Sequence, residues 1–336
     1  MTRVAVVGGG AWGTALADLL VRKGGGVESV TLWAREPEVV EQVNRDHLNP
    51  VFLPGAALAP ALRANGDVAE TVRGADVVVS AAPCHAVRDV MARAAVGVGR
   101  GAVVVSVSKG LEPERLNTMS CVLGEVLPKS AKIAVLSGPS FAQEVYARQP
   151  TAVVAAAQDH RVAQRVQQVF STSYFRVYSA TDVVGVELGG ALKNVIALAA
   201  GILEGLGLGY NTRAALITRG LAEITRLGVA LGAEPATFAG LAGMGDLLLT
   251  ATGPLSRNHQ LGVELGLGKR LEDVLAGRST VAEGVNTARS AVTLGERHGV
   301  ELPIAREVAE VLFQGKSPRQ AVSDLMEREL KAEQWR

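Results

Sequence analysis

Lys193 is the side chain whose surroundings point most directly to chemistry. It lies in a stretch with helical spacing, where its neighbours three and four residues away are glycine, isoleucine and alanine, with no carboxylate. Gly189 and Gly190 in mid-helix cost about 1 kcal/mol each relative to alanine, which indicates that space is needed there. Burial near a second cation, Lys109, would lower the pKa of Lys193 toward that of a general acid or base. The alternative is a lysine whose stem fills a glycine-packed helix seam and whose ammonium reaches water.

Two later clusters offer groups for the same site. Asp246 and Thr250 stand one turn apart on one face of a predicted short helix, although Asp246 also has the typical position of an N-cap. Ser256, Arg257 and Asn258 begin another predicted helix, and a helix N-terminus that carries an arginine is suited to a phosphate. The alternative for the second cluster is a serine-capped helix with a solvated arginine.

Gly8, Gly10 and Gly13 form the pattern G-x-G-x-x-G between a β-branched run, Val4–Val7, and a helical stretch from Ala11. The pattern alone is weak in a chain with 38 glycines. Between a strand and a helix, however, the first glycine makes the tight turn and the second lets a pyrophosphate approach the backbone. The third lets the helix pack on the strand, and the helix N–H groups face the anion. This context predicts a dinucleotide site.

The end of the next predicted strand, Ser29–Trp33, bears on which dinucleotide binds. Sites for NAD usually place an acidic residue there to bind the ribose 2′-hydroxyl. Here Glu28 precedes the strand and Arg35 follows it. Because an arginine can pair with a 2′-phosphate, the sequence favours NADP(H), with NAD(H) as the second option. A solvated surface arginine is the alternative.

Strands alternate with helices as far as Tyr178, and only helices are predicted after it. This order predicts an α/β fold: an N-terminal Rossmann-type doubly wound sheet, residues 1–180, followed by an all-α C-terminal domain, residues 181–336. We expect antiparallel strands only at the far edge of the sheet. The further predicted strands are Val77–Ala81, Ala102–Val107, Ile133–Ser137, Thr151–Ala156 and Phe175–Tyr178.

Three loops at the carboxyl ends of these strands carry candidate ligand contacts, since ligands bind beyond that edge: Ala82–His85, Ser106–Gly110 and Ser137–Ala142. Lys109 directly follows one strand, and we expect Pro113 to open the next helix. Gly138 lies in a turn that presents Ser140, which we expect to cap a helix that begins at Phe141. For Lys109 the alternative is a loop lysine in water.

Composition excludes several classes of function. The chain has 34 basic and 33 acidic residues, so no strong field favours nucleic acid or an anionic membrane. Cys84 and Cys121 lie far apart without histidines at ligand spacing, which indicates neither a disulfide framework nor a metal site. The chain enters a strand at once, and the run Val195–Leu203 is short for a membrane span. We therefore expect a cytoplasmic protein without membrane insertion that acts on a small molecule.

Taken together, the motifs run in order along nearly the whole chain and resemble those of bacterial NAD(P)-dependent glycerol-3-phosphate dehydrogenases. The resemblance implies reversible reduction of dihydroxyacetone phosphate to sn-glycerol 3-phosphate, a precursor step of glycerophospholipid synthesis, by a homodimer. The matching segments are Gly10–Ala17, Ser108–Gly110, Ser137–Ala142, Leu192–Asn194, Gly209–Leu216, Gly243–Leu247 and Ser256–Asn258.

The resemblance also implies roles for individual residues. Lys193 matches the proton donor and acceptor for the substrate oxygen. The residues that match groups positioned around it are Lys109, Asn194, Asp246 and Thr250. The matches to substrate contacts are Lys109, Gly138, Ser140, Lys193, Asp246, Ser256, Arg257 and Asn258, the last two toward the phosphate. With the glycine turn, the cofactor contacts are Gly8, Gly10, Ala11, Trp12, Gly13, Arg35, Phe52, Lys109, Ala142, Arg257, Val281 and Glu283.

Two other functions stay open on the sequence. One is a reductase of the same two-domain plan, such as a β-hydroxyacid or 6-phosphogluconate dehydrogenase, which also pairs a Rossmann half with a helical lysine. The other is a module that senses a dinucleotide without catalysis. Charged residues from both halves argue against a sensor, which needs no second substrate site.

Overall fold

The computed structural model describes residues 1–276, 283–330 and 332–333. Ten strands are described: β1 Thr2–Val7, β2 Val27–Trp33, β3 Leu48–Asn49, β4 Leu53–Ala57, β5 Arg63–Asn65, β6 Val77–Ser80, β7 Val103–Ser106, β8 Lys132–Ser137, β9 Thr151–Ala156 and β10 Phe175–Ala180. The helices of this half are α1 Ala11–Lys23, α2 Pro37–Arg45, α3 Val68–Val72, α4 Val87–Ala94, α5 Met119–Val126, α6 Ala142–Tyr146 and α7 His160–Phe170.

Eight of these strands form one sheet in the order β10-β9-β8-β7-β6-β1-β2-β5. Every pairing is parallel except that of β8 with β9, so β9 and β10 run opposite to the others at one edge. The central strands β6 and β7 each read Val-Val-Val-Ser and are buried along their whole length. This doubly covered sheet confirms the predicted Rossmann-type fold and the antiparallel pairing at its edge. Strand β5 and the separate β3–β4 hairpin are short and were not predicted.

Helices alone follow the sheet within the described residues. They are α8 Val183–Gly205, α9 Tyr210–Ala230, α10 Pro235–Phe238, α11 Asp246–Thr252, α12 Arg257–Gly266, α13 Leu271–Ala276, α14 Glu283–Arg297, α15 Pro303–Phe313 and α16 Pro318–Met326. One π-helical turn, Leu241–Gly245, leads directly into α11. The sheet therefore ends at Ala180 and the helical half begins at Val183, while the domain limits 1–180 and 181–336 stay a prediction.

Helix α8 is the central helix of this half. Among the described residues it alone is long and apolar enough to cross a membrane, a property that the shorter run Val195–Leu203 had not indicated. However, 83 % of its apolar window is buried inside the protein, which is the pattern of a core helix that is hydrophobic all round.

Glycines let α12 lie directly against α8. A Cβ added to Gly201 would lie 2.0 Å from the carbonyl oxygen of His259, and one added to Gly262 would lie 2.1 Å from that of Leu198. The two backbones are therefore in contact, which no larger residue permits at either position. This packing fixes the N-terminus of α12 relative to the middle of α8.

The loop after β7 differs from the prediction. Pro113 does not open a helix, and the next helix begins at Met119. Between them the chain turns back, with left-handed backbone at Glu114 and Leu116. Arg88 from α4 holds this loop through two hydrogen bonds to the Glu112 carboxylate, of 2.5 and 3.1 Å. A tertiary ion pair and the loop's own backbone hydrogen bonds, Glu112 N–H to the Asn117 carbonyl oxygen and Leu116 N–H to the Glu112 carbonyl oxygen, therefore hold this turn.

Candidate active site

The glycine turn after β1 has the geometry of a dinucleotide site. Gly8 has φ +135°, and a Cβ there would lie 2.7 Å from the backbone of Ala81. A Cβ on Gly13 would lie 2.0 Å from the carbonyl oxygen of Gly8, so α1 could not approach the strand. A Cβ on Gly10, in contrast, would meet nothing within 4 Å. The turn is thus closed where strand and helix meet and open in front of α1, where a pyrophosphate fits.

A hairpin fastens to this turn through Asn49, a residue that the sequence did not single out. Its side-chain amide donates to the Gly9 carbonyl oxygen and to Thr14 Oγ1, both at 2.8 Å. Its own Oδ1 accepts the backbone N–H of Phe52 at 3.1 Å. Asn49 is fully buried, so it holds Phe52 beside the glycine turn. The signal that could have found it is an asparagine directly before a proline, in the loop that carries Phe52.

Other predicted cofactor contacts surround the same turn. Ala11 and Trp12 begin α1, and the Trp12 ring packs against Phe175 with the ring centroids 6.5 Å apart. Ala142 begins α6, which packs against α1. Arg35 follows β2 with its side chain 82 % exposed and paired to Glu36 at 2.8 Å. The guanidinium is therefore outside the buried part of the site and exposed to solvent.

At the carboxyl edge of the sheet, the two halves meet in a buried charged cluster. Lys193 from α8 is 5 % exposed and donates to Asp246 Oδ1 and, at 2.8 Å, to Thr250 Oγ1. The other oxygen of Asp246 accepts from Lys109 Nζ at 2.7 Å. Asp246 is thus not an N-cap in function: its carboxylate lies between two lysines from different halves. Lys193 has no carboxylate within pairing reach on its own helix, as predicted, and its carboxylate partner comes from the Asp246 cluster that the sequence had assigned to the same site.

Helix α11 prepares Thr250 for its contact with Lys193. The Thr250 hydroxyl donates to the Asp246 carbonyl oxygen at 2.6 Å, so its oxygen is free to accept from the ammonium. An ammonium has three N–H donors, and among the described residues two of them have acceptors. The third N–H of Lys193 is available to an oxygen atom of a bound molecule.

The charge of Lys193 depends on pH in the neutral range. The pKa of Lys193 is lowered to about 7, chiefly by burial and also by the nearby Lys109 cation, while the Asp246 carboxylate acts in the opposite direction. A group with this pKa can both give and take a proton near neutrality. The structure therefore supports a general acid or base at this position rather than a lysine that reaches water.

Lys109 connects the cluster to the next loop. Its ammonium also donates to the Gly138 carbonyl oxygen at 2.8 Å, and Ser140 Oγ donates to the same oxygen at 3.0 Å. Ser140 therefore does not cap a helix as predicted: α6 begins at Ala142, and the Ser140 hydroxyl turns back to its own loop. Leu111, two residues after Lys109, is buried in the core of the helical half. The burial of Leu111 in the helical half keeps Lys109, a residue of the sheet half, close to the helical half.

The N-terminus of α12 lies beside the cluster. Asn258 Nδ2 donates to Asn194 Oδ1 at 3.0 Å, and Asn258 Oδ1 accepts the backbone N–H of Gly284 at 2.9 Å. Ser256 is the N-cap, since its hydroxyl accepts the backbone N–H of His259 at 3.2 Å. Arg257 is exposed in the first turn. The serine cap that was the alternative for this segment is present, and it does not conflict with an anion site at the same helix N-terminus, where Arg257 is the exposed cation.

The structure brings most of the predicted residues to one edge of the sheet. Lys109, Gly138, Ser140, Lys193, Asp246 and Thr250 form one hydrogen-bonded cluster, and Asn194 and Asn258 form a second one beside it. Glu283 contacts Cys84, which lies in a predicted ligand loop but had no individual role assigned from the sequence. Val281 lies outside the described residues.

Comparisons with known proteins agree with this geometry. Residues 3–163 match the family model of the NAD-dependent glycerol-3-phosphate dehydrogenase N-terminus, and residues 182–323 match that of the C-terminus. A glycerol-3-phosphate dehydrogenase [NAD(P)+] from Geobacter sulfurreducens is 56 % identical over 335 residues, which cover 99 % of both chains.

Solved structures separate this family from others of similar fold. A crystal structure of glycerol-3-phosphate dehydrogenase from Coxiella burnetii superposes with a TM-score of 0.92 at 35 % identity, covering 97 % of this chain and 99 % of that one. A ketopantoate reductase from Ralstonia eutropha reaches a TM-score of 0.60 at 16 % identity, covering 95 % and 99 %, and shares the fold alone. The chain therefore belongs to the NAD-dependent glycerol-3-phosphate dehydrogenase family of oxidoreductases.

Proposed function

We propose that the protein interconverts dihydroxyacetone phosphate and sn-glycerol 3-phosphate, with Lys193 as the general acid and base. The observation that carries this proposal is the buried cluster in which Lys109 from the sheet half meets Lys193, Asp246 and Thr250 from the helical half. It lies at the carboxyl edge of the parallel strands, where ligands of such sheets bind. The names of the similar proteins support glycerol 3-phosphate as one of the two substrates.

Lys193 handles the proton in both directions. When bound, the reduced nicotinamide supplies the hydride that the carbonyl carbon receives. As negative charge grows on the carbonyl oxygen, the third N–H of the Lys193 ammonium stabilises this charge and then donates its proton. In the reverse direction, neutral Lys193 takes the proton of the substrate hydroxyl. Asp246 and Thr250 hold the amine in place throughout, because they bind its other two N–H groups.

The remaining substrate contacts orient the molecule through its phosphate. Arg257, in the first turn of α12, supplies a cation beside the N–H groups of a helix N-terminus. Asn258 and Ser256 keep this terminus in place. Anchoring a remote phosphate orients the reacting carbonyl toward Lys193. Gly138 and Ser140 complete the cradle from the sheet half.

For the cofactor we propose NADP(H) as the preferred dinucleotide and NAD(H) as the second. The open backbone at Gly10 accommodates the pyrophosphate, and Arg35 pairs with a 2′-phosphate. Phe52, Ala142 and the start of α1 line the same side. We further propose a cytoplasmic homodimer that supplies sn-glycerol 3-phosphate to glycerophospholipid synthesis, as the resemblance implies.

A substrate panel tests the proposed function. The purified protein is mixed with NADPH or NADH and with dihydroxyacetone phosphate, with a β-ketoacid, or with the ketose product of 6-phosphogluconate oxidation together with bicarbonate as the source of the CO2 that this reverse reaction consumes. Absorbance at the nicotinamide band is followed. We expect rapid oxidation with dihydroxyacetone phosphate alone, and a higher kcat/KM with NADPH than with NADH. Turnover of another carbonyl substrate would support a related reductase, and dinucleotide binding without any turnover would support a sensor.

A further inference from the structure

Cys84 and Glu283 form a contact that joins the two halves of the molecule. Cys84 follows β6, and Glu283 is the first residue of α14, 199 positions later. The Cys84 thiol donates to Glu283 Oε2 at 2.6 Å, and the backbone N–H of Cys84 reaches Oε1 at 3.3 Å. One residue of the sheet half therefore holds both oxygens of a carboxylate from the helical half.

The contact lies at the edge of the sheet where the dinucleotide would bind. A Cβ on Gly110, the residue after Lys109, would lie 2.7 Å from Cys84 Sγ and 3.5 Å from Glu283 Oε2. The carboxylate is therefore packed against the loops that follow β6 and β7. Burial and the adjacent carboxylate raise the pKa of the Cys84 thiol far above its ordinary range. The thiol stays protonated in neutral solution and remains a hydrogen-bond donor.

A second bond holds the same turn of α14 from the opposite side. The backbone N–H of Gly284 donates to Asn258 Oδ1, and Asn258 in turn binds Asn194. A Cβ on Gly284 would lie 2.8 Å from the carbonyl oxygen of Asn194, so the turn is closely fitted to α8. With Gly284 fixed in this way, the direction of the neighbouring Glu283 carboxylate depends on Cys84.

We propose that Cys84 is a positioning residue for dinucleotide binding, because it fixes the Glu283 carboxylate at the crevice through its thiol and backbone N–H. A carboxylate offers about four lone-pair sites, of which Cys84 occupies two. The others are left to hydroxyl or amide donors of the bound dinucleotide. The inference rests on the proposed function where that assigns Glu283 to the cofactor.

The test measures the dissociation constant of NADPH without substrate, by calorimetry. We expect Cys84→Ala to weaken binding about five- to tenfold, since the change acts on the dinucleotide through Glu283 and removes one positioning hydrogen bond, for which the typical net contribution is about 1 kcal/mol. Cys84→Ser keeps a donor and should remain within about twofold of the wild type. Cys121→Ala, which removes the exposed cysteine on α5, is the matched control and should change nothing.

A double variant separates positioning from general damage. In a Glu283→Gln protein, the further change Cys84→Ala should cost less than about twofold, since the carboxylate is already absent. Equal binding by the alanine and serine variants, or losses that multiply in the double variant, would overturn the proposal. If Cys84→Ala does not fold, Cys84→Val fills the space without a donor and takes its place. A wild type that binds NADPH but reduces no ketose would refute the proposed function and still allow this test.

Discussion

Two buried ionisable groups of the helical half have the same pKa and opposite surroundings. Lys193 and Glu223 are each 5 % exposed, and burial shifts the pKa of each to about 7, downward for the lysine and upward for the glutamate. Glu223 lies on α9, where its oxygens accept the backbone N–H groups of Ile304 at 2.8 Å and Ala305 at 3.3 Å. These N–H groups begin α15, whose N-cap residue, Leu302, offers no side-chain acceptor.

The difference lies in the partners of each group. Lys193 meets side chains from α11 and, through Asp246, from the loop after β7, and one of its N–H groups has no acceptor in the described residues. Glu223 gives both oxygens to backbone N–H groups, so it replaces the missing cap of a helix. A shifted pKa therefore reports burial, and it indicates chemistry only where other side chains converge on the group.

The largest expected effect is on kcat, which should depend on Lys193 and hardly at all on Glu223. Lys193→Met keeps the length of the side chain but removes the proton, and we expect kcat to fall about a thousandfold, within the usual range for general acid–base catalysis. NADPH affinity should change less than about twofold, since the amine contacts the substrate side. Glu223→Gln is the control and should keep kcat within about twofold. Steady-state kinetics with dihydroxyacetone phosphate measures both, and full turnover by Lys193→Met would reject its assignment.

The second-largest expected effect is on the free energy of unfolding, which should depend more on Glu223 than on Lys193. Glu223→Ala removes the acceptor for two buried N–H groups and leaves a cavity, so we expect the free energy of unfolding to fall by about 3 kcal/mol. Lys193→Met should lose little stability, because it removes a desolvated charge and leaves Asp246 paired with Lys109. Denaturant unfolding measures both variants. A greater loss for Lys193→Met than for Glu223→Ala would reverse the comparison.

The sequence predicted the parts of this comparison that depend on local spacing. The small residues around Lys193, and the one-turn separation of Asp246 and Thr250, are properties of single helices, and both meet in the site. The glycine turn was predictable for the same reason, since strand, turn and helix are consecutive in the chain.

What the sequence missed depends on contacts between distant segments. The sequence placed Asp246 in the same site as Lys193 but did not give their direct ion pair, which spans 53 residues. The N–H groups that bind Glu223 lie 81 and 82 residues away from it. Glu223 looks like an ordinary helix glutamate when only its neighbours in the chain are known. Pro113 likewise has a typical position for a helix start, but the bond from Arg88 to Glu112 favours a turn there.

The smallest effect is the dependence of stability on pH, for which the two groups have opposite signs. The folded-state pKa of Glu223 is raised from 4.5 to about 7, so its contribution is complete below pH 4.5 and is lost as the pH rises through 7. The pKa of Lys193 is lowered from 10.5 to about 7, so its contribution is complete above pH 10.5 and is lost as the pH falls through 7. Each group changes the unfolding free energy by at most about 1.4 kcal/mol per pH unit.

The contributions of Glu223 and Lys193 can therefore be measured separately. The unfolding free energy of the wild type is compared with that of Glu223→Gln and with that of Lys193→Met at pH 5 to 9. Relative to Glu223→Gln, the wild type should lose stability between pH 5 and 7, because the folded state keeps a proton that the unfolded state releases. Relative to Lys193→Met, the wild type should gain stability between pH 7 and 9, because the folded amine is neutral while the unfolded state still binds a proton. The difference from Glu223→Gln should be constant between pH 7 and 9, and the difference from Lys193→Met should be constant between pH 5 and 7. Each variant removes the titration of one group and keeps that of the other. If the stability difference between wild type and variant changed with the same sign from pH 5 to 7 and from pH 7 to 9, groups other than Glu223 and Lys193 would govern the pH dependence. The equal pKa values of Glu223 and Lys193 would then not reflect their equal burial.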